Sequence, residues 1–352
     1  MTSGPPPSLN PTPFDGLVPE IVLDALDSVG LRGDGRLIQL NSFENRVFQV
    51  FLEDGRVVVA KFYRPGRWSD AQILEEHAFA AELAAAEVPV AAPLSLVVAE
   101  ATPPPAHAAT KGTTLVEYTT TDGASFRFGV TPRFGGRAPE LEDDETLERI
   151  GRFIGRLHAV GAQRNFQHRL ALTPDIFGVA NRDWLLAQGI IPPEAESAWR
   201  DTADAALAAV RDAFAADAAP RALRLHGDCH LGNMLWSDAA GPHFVDLDDA
   251  VMGPAVQDLW MLLAGDRATA RRQLASVLEG YEAFREFDRR ELRLIEPLRT
   301  LRMIHHSAWI ARRWADPAFP IAFPWFESPA YWAEQTTRLR EQLVAMAEPP
   351  LR

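Results

Sequence analysis

Hydrophobic and polar positions alternate along the first third of the chain and then change period. Leu37–Leu40, Arg46–Leu52 and Val57–Phe62 read as strands, with Asp54-Gly55 as the hairpin turn between the last two. Ahead of them, Ile21, Leu23, Leu26 and Val29 predict a short amphipathic helix. Over residues 70–86, Ile73, Leu74, His77, Ala80 and Leu83 recur at helical spacing, and Pro89 and Pro93 stop the pattern. Thr113–Tyr118 and Ser125–Val130 predict a second hairpin around Asp122-Gly123, and Pro132 to Arg137, with two glycines, reads as a linker. Beyond it, Leu147, Ile150, Ile154 and Leu157 mark one face of a helix over Glu142–Val160. A short β interruption spans about Leu223 to Leu247, and helices resume from Pro254. The expected plan is α+β, in two lobes that share a cleft: a flexible tail over 1–13, a sheet-rich lobe over 14–134 and a helical lobe over 135–352.

Composition narrows the function classes. The chain has 352 residues, is 47% hydrophobic and 24% charged, and carries a net charge of −13, the balance of a globular enzyme. So acidic a chain is a poor coat for nucleic acid or an anionic membrane. No window approaches the roughly 20 apolar residues of a membrane span. Residues 1–13 have neither the cationic start nor the apolar core of a secretion signal. The single cysteine, Cys229, rules out an internal disulfide and suits a reducing cytoplasm. These features lead to the expectation of a cytoplasmic monomer with no nucleic-acid partner. Lysine occurs only at Lys61 and Lys111, so Lys61, which ends the apolar run Val57-Val-Val-Ala, stands out. An unpaired buried ammonium is costly, and a glutamate on the following helix is the expected partner; Glu76 is preferred over Glu75.

The sharpest segment is Leu225-His-Gly-Asp-Cys-His-Leu-Gly-Asn-Met-Leu-Trp236, followed by Phe244-Val-Asp-Leu-Asp-Asp249. A His-x-Asp, an Asn shortly after and a second Asp on a following strand is the order that phosphoryl transfer uses. A carboxylate at Asp228 would receive the proton of an acceptor hydroxyl. Adjacent strands joined by the turn over Ser237–Pro242 would bring Asn233 and Asp246 to one Mg²⁺, a hard ion that prefers carboxylate and amide oxygens.

Absences inform as well. There is no Gly-x-Gly-x-x-Gly loop; Asn41-Ser-Phe-Glu-Asn45 stands in its place, with Ser42 the residue expected at nucleotide. Gly227 occupies the position of the arginine that receives a phosphorylated activation loop in many kinases, and too little chain separates Asp246 from Asp258 to build such a loop. Nucleotide competence without loop phosphorylation is the expectation. Because that loop also seats peptide substrates, the residues by themselves point to a small alcohol as acceptor. Among lesser positions, His226 is expected to fix the catalytic loop and Asp258 to brace it. Trp309, Trp314, Trp325 and Trp332 are expected to fill the core, or else to line the acceptor side, where aromatic faces could hold a cation. His305-His306 and Arg312-Arg313 are expected on a helix surface, and Cys229, beside Asp228, is a candidate for oxidation that would block activity.

These motifs resemble the aminoglycoside phosphotransferase and choline kinase superfamily, whose loop reads His-Gly-Asp. More closely, Leu40-Asn-Ser-Phe-Glu-Asn-Arg-Val-Phe-Gln-Val50, Lys61-Phe-Tyr-Arg-Pro-Gly-Arg-Trp68, Ile73-Leu-Glu-Glu-His77, Val88-Pro-Val-Ala-Ala-Pro93, Gly253-Pro-Ala-Val-Gln-Asp-Leu-Trp-Met-Leu-Leu263 and Arg312-Arg-Trp-Ala-Asp-Pro-Ala-Phe319 are similar to its bacterial stress-response kinases. The likeness runs from about residue 14 to the C-terminus; the proline-rich leader and Ala99–Ala109 depart from it. It implies a protein-kinase-like fold and an ATP- and Mg²⁺-dependent Ser/Thr protein kinase active in stress responses. Carried over, Asp228 is the proton acceptor and Asn233 and Asp246 are the Mg²⁺ ligands. Ser42 lies at ATP, Lys61 held by Glu76 neutralises phosphate, and backbone groups of Arg133 and Phe134 meet adenine. The rival readings are a kinase for an aminoglycoside, choline or homoserine, and a nucleotide-binding scaffold without catalysis.

Overall fold

The computed structural model describes residues 12–97, 113–216, 221–238 and 241–351. Nearly all of the leader, the stretch 99–109 and the middle of the 237–242 turn lie outside them. The chain divides into two compact units, one ending at Gly135 and the other beginning at Gly136.

The first unit is an antiparallel sheet with two helices. Helix α1 (Pro19–Asp27) leads into β1 (Gly33–Leu40), β2 (Arg46–Leu52), β3 (Val57–Phe62), α2 (Asp70–Ala85), β4 (Val116–Thr119) and β5 (Ser125–Pro132). The sheet order is β1-β2-β3-β5-β4. Alternation decides the two faces. Val58, Ala60 and Phe62 of β3 join Phe48, Val50 and Leu52 of β2 and Phe126, Phe128 and Val130 of β5 in one core, which α1 covers with Val22, Ala25 and Leu26. Of the expected stripe, Leu26 and Val29 are buried, while Ile21 and Leu23 lie at the margin and Val22 and Ala25 take their place in the core. Helix α2 begins at a capping box, in which the Ser69 hydroxyl accepts from Gln72 and the Gln72 side chain accepts from the Ser69 amide. Its buried face is Ile73, Glu76, His77, Phe79, Ala80 and Leu83, and Leu74 is left outside. Strand β4 starts later than expected, because Thr113 makes only an isolated bridge to Leu96.

The second unit is helical. Helix α3 (Asp144–Gly161) is capped by Asp143; a π turn (Pro174–Val179) runs into α4 (Ala180–Ala187), and α5 (Pro193–Ala215) follows. Then come β6 (Leu223–Leu225), β7 (Met234–Ser237), β8 (Gly241–Phe244), β9 (Val251–Gly253), α6 (Gln257–Trp260), α7 (Arg267–Glu282), α8 (Ile295–Arg312), α9 (Ala318–Ala322) and α10 (Pro329–Ala347). Helices α3 and α7 touch backbone to backbone. A Cβ on Gly151 would stand 2.0 Å from the Val277 carbonyl oxygen, one on Gly155 2.6 Å from that of Tyr281, and one on Gly280 1.9 Å from that of Glu148. Only glycine permits this approach, and it holds α3 where His158, near its end, reaches the catalytic loop. Helix α8 is packed on several sides, so His305 and the two arginines are not surface residues as expected. His305 Nδ1 faces the Asn181 amide at 3.2 Å, Arg312 donates to Asn181 Oδ1 at 2.6 Å, and Arg313 is buried and donates to the Trp309 carbonyl.

Candidate active site

In the second unit, β6 and β9 pair antiparallel, with Leu225 opposite Val251, and present the His226–Asp228 turn at the end of β6. Gly227 has φ +86°, and a Cβ there would stand 2.1 Å from the Asp249 carbonyl oxygen, so no side chain fits. Asp258, wholly buried, accepts from the amides of His226 and Gly227, each at 2.8 Å. The same carboxylate meets His158 Nε2 at 3.0 Å, and His158 Nδ1 meets the Tyr281 hydroxyl at 3.0 Å. Gln257 donates to the Gly227 carbonyl, and His226 Nε2 donates to the carbonyl of Val245, the residue before Asp246. His226 and Asp258 therefore act as the brace that the sequence suggested, and His226 spans the two halves of the motif.

Asp228 is placed beyond that brace, with 19% of its side chain exposed. Arg302 of α8 donates to its Oδ1 at 2.6 Å. His230 Nδ1 accepts from the Gly232 amide at 2.9 Å, which assigns the ring proton to Nε2, and Nε2 lies 3.4 Å from Asp228 Oδ2. Burial works against ionisation of Asp228, but the hydrogen bond from His230 and the charge of Arg302 outweigh it and hold the carboxyl well below its ordinary range. His230, expected only to pack, is thus a partner of Asp228. Arg302 was missed altogether: a single arginine on a helix carries no spacing signal.

Asn233 closes the loop. Its Nδ2 donates to the Asp228 carbonyl at 2.9 Å and lies 3.5 Å from Asp228 Oδ2. That commitment turns Oδ1 the other way, where it accepts no hydrogen bond among the described residues. Met234 pairs with Phe244, and the Val245 amide donates to the Asn233 carbonyl, so Asn233 and Asp246 sit at the ends of adjacent strands. Asp246 adopts a left-handed backbone (φ 59°, ψ 62°) that costs a residue with a Cβ on the order of 1 kcal/mol, and its side chain is exposed. Among the described residues there is no cluster of three or more His, Cys, Asp or Glu side chains. One carboxylate and one outward amide oxygen are residue types that could hold Mg²⁺, an ion that keeps few protein ligands when it is bound on a phosphate.

The chain after Asp246 is pinned. Arg169, buried, donates through Nε to the Ala250 carbonyl at 2.9 Å and also reaches the Asp248 carbonyl. The Met252 amide donates to the Leu170 carbonyl, and the Leu172 amide to the Met252 carbonyl. β9 is thus flanked by β6 on one side and by residues 170–172 on the other, so the short chain after Asp246 is tied down on both sides. Cys229 is buried, and desolvation pushes its thiol well above the ordinary range, so the reactive thiolate is suppressed at the proposed oxidation site. Of the tryptophans, Trp332 is fully buried in the core, as expected, while Trp325 is 43% exposed.

In the first unit, Lys61 lies on the sheet face opposite the core, half-buried, with Nζ 5.7 Å from the Tyr63 ring centre. Its ladder partner is Gly129, and where a Gly129 side chain would stand, His77 of α2 comes within 3.1 Å. Helix α2 therefore covers the Lys61 face at the level of Lys61. Glu76, 7% exposed, and with Oε2 3.7 Å from His77 Nε2, lies on the buried side of that helix, whereas Glu75 is half-buried. Ser42 is half-buried in the loop between β1 and β2. Arg64 shapes this loop: its guanidinium donates to the carbonyls of Phe43 (3.1 Å) and Glu44 (2.9 Å), and its amide donates to Asn45 Oδ1 (3.0 Å). Because a trans peptide opposes its C=O and N–H, drawing those carbonyls to Arg64 turns the amides of Glu44 and Asn45 the other way. At the end of the sheet, the Arg133 amide donates to the Val57 carbonyl at 3.2 Å, which leaves the adenine expectation to the Arg133 carbonyl and to Phe134.

The chain belongs to the phosphotransferase enzyme family, whose sequence model matches residues 36–295. It is therefore a kinase-type phosphotransferase of the aminoglycoside phosphotransferase superfamily, and the fold agrees. Within that class it is 45% identical over 338 residues to "Stress response kinase A" of Escherichia coli K12, covering 96% of both chains. It is 46% identical over 343 residues to "Serine/threonine protein kinase RdoA" of Salmonella typhimurium LT2, again covering 96% of each. Among solved structures, amicoumacin kinase hAmiN, in complex with AMP-PNP, Ca²⁺ and amicoumacin, matches with TM-score 0.70 at 16% identity over 94% of both chains. A microcompartment-associated aminopropanol kinase matches with TM-score 0.68 at 16% identity over 95% of this chain and 99% of its own. No described helix is long and apolar enough to cross a membrane.

Proposed function

We propose that the protein is an ATP- and Mg²⁺-dependent Ser/Thr protein kinase of the cytoplasm that serves a stress response. The observation that carries the reading is the arrangement of Asp228 beside Asn233, on a loop held by Asp258, in a chain so similar to relatives named as stress-response and Ser/Thr kinases. Asp228 orients the acceptor hydroxyl and takes its proton as the oxygen–phosphorus bond forms and the bond to the departing ADP breaks. Its lowered pKa makes the carboxylate a weak base, so its main contribution is to position the hydroxyl, in keeping with a loose phosphoryl-transfer transition state. Asn233 Oδ1 and Asp246 would hold Mg²⁺, which supplies charge neutralisation on the transferred phosphate. Lys61, with Glu76, is assigned to the nucleotide phosphates, Ser42 and the amides turned by Arg64 to the same anion, and Arg133 and Phe134 to adenine.

A second reading, a kinase for a small alcohol, has its own support: the pinned chain after Asp246 offers no long segment to seat a peptide. Transfer of label from γ-labelled ATP to a generic protein, set beside a panel of amino alcohols, decides between them. Asp228→Ala is expected to lower turnover by at least ~10²-fold while MgATP binding, read by calorimetry, persists. Asp246→Ala is expected to abolish Mg²⁺-dependent nucleotide binding itself. Equal loss of binding in both variants would overturn this division of roles.

A further inference from the structure

The neighbour of Asp228 on α8 has chemistry left over. A guanidinium carries five N–H donors. Arg302 directs one at Asp228 Oδ1, and the others find no acceptor among the described residues, although 43% of the side chain is exposed. Other arginines of this unit end on acids with no functional role: Arg289 on Glu282, Arg290 on Asp288, Arg299 on Glu296. Arg302 instead ends on the carboxylate that would orient the acceptor, with its remaining donors open. His306 stands one turn further along α8, partly exposed and stacked on Trp309 at 5.6 Å, so the helix continues as an aromatic surface without an acidic group at that turn.

A hydroxyl that takes its place on Asp228 must lie within a few ångströms of that guanidinium. A cationic acceptor would bring its charge against Arg302, at a cost that grows where water is partly excluded. A carboxylate or phosphate one or two residues from the hydroxyl would instead find a planar fork of donors already held in place by the Asp228 contact. We infer that Arg302 selects the acceptor, and that the preferred substrate is a Ser or Thr with an anionic group beside it. This rests on the assignment of Asp228 to the acceptor hydroxyl, and it sets the protein apart from kinases whose acceptor alcohols carry an amine.

The test compares kcat/KM for peptides identical except for the residues flanking one serine: glutamate, phosphoserine, alanine or lysine. The wild-type protein is expected to favour the glutamate peptide over the lysine peptide by on the order of tenfold. The phosphoserine arm reports whether phosphate serves as well as carboxylate. In Arg302→Gln that ratio should fall towards one, and in Arg302→Lys much of it should return; a merely structural role would lower all peptides together and leave the ratio unchanged. An unchanged ratio in Arg302→Gln, or a wild-type preference for lysine, overturns the inference. If no peptide is phosphorylated while MgATP still binds, it is the protein-kinase reading that fails. The same ratio, measured on small hydroxy acids against amino alcohols, then decides the role of Arg302: a preference for hydroxy acids that Arg302→Gln erases supports it, and a preference for amino alcohols overturns it.

Discussion

Asp258 and Asp228 sit in the same loop system and are held in opposite ways. Asp258 is fully buried, and both its oxygens are engaged by backbone amides and by His158. Asp228 meets the side chains of Arg302 and His230, both substantially exposed. The first set of contacts cannot be exchanged without unsatisfied buried donors; the second is made by exposed side chains that water already reaches, so a ligand can join it beside Arg302. The pair shows how a fold makes a carboxylate both fixed and available: one aspartate holds the backbone, so the other needs only partners that leave it open to a ligand.

The largest expected effect comes from breaking the fixed side. Asp258→Ala leaves the buried amide of His226 and the half-buried amide of Gly227 without an acceptor and removes the partner of His158. It should lower unfolding stability by about 3 kcal/mol or more in urea titrations, whereas Asp228→Ala should stay within about 1 kcal/mol of the wild type. Equal losses would erase the contrast. Next is Glu291, which is buried and accepts from the Val256 amide just ahead of Asp258; burial pushes its carboxyl up to about 7. Between its unfolded value near 4.5 and about 7, the folded protein keeps a proton that the unfolded chain has released. Stability should therefore fall as pH rises through that window, by on the order of 3 kcal/mol in total. Glu291→Gln should flatten the profile measured at pH 5 and pH 8, and a profile as steep as the wild type's would assign the slope to other groups. The smallest effect is expected at Cys229. With its thiol buried and its thiolate suppressed, Cys229→Ser should leave the response of turnover to peroxide unchanged, and a clear gain in resistance would contradict the burial argument.

The contrast also marks what could be read from the chain. Asp228, Asn233 and Asp246 announce themselves because one short loop and one hairpin bring them together, so their spacing is their geometry. Lys61 is visible for a similar reason, since strand alternation sets its face. Arg302 and Arg169 reach the same loop system from elements distant in sequence, and in a chain where arginine is the ordinary cation nothing marks either one. Arg64 could have been suspected, because it closely follows Lys61 and the Asn41–Asn45 loop, having no glycine, needs an outside donor to orient its peptides. The packing of α8 misled the reading of His305, Arg312 and Arg313: a helix covered on several sides has no polar face for periodicity to find.

Gly151, Gly155 and Gly280 touch no residue of the motif, yet the crossing they allow sets the height of His158 against Asp258. In a mutational scan scored by activity alone, these three positions should be as intolerant as Asp228 itself. Only a parallel record of melting temperature would reveal that a methyl group there spoils the frame and leaves the reacting groups chemically intact.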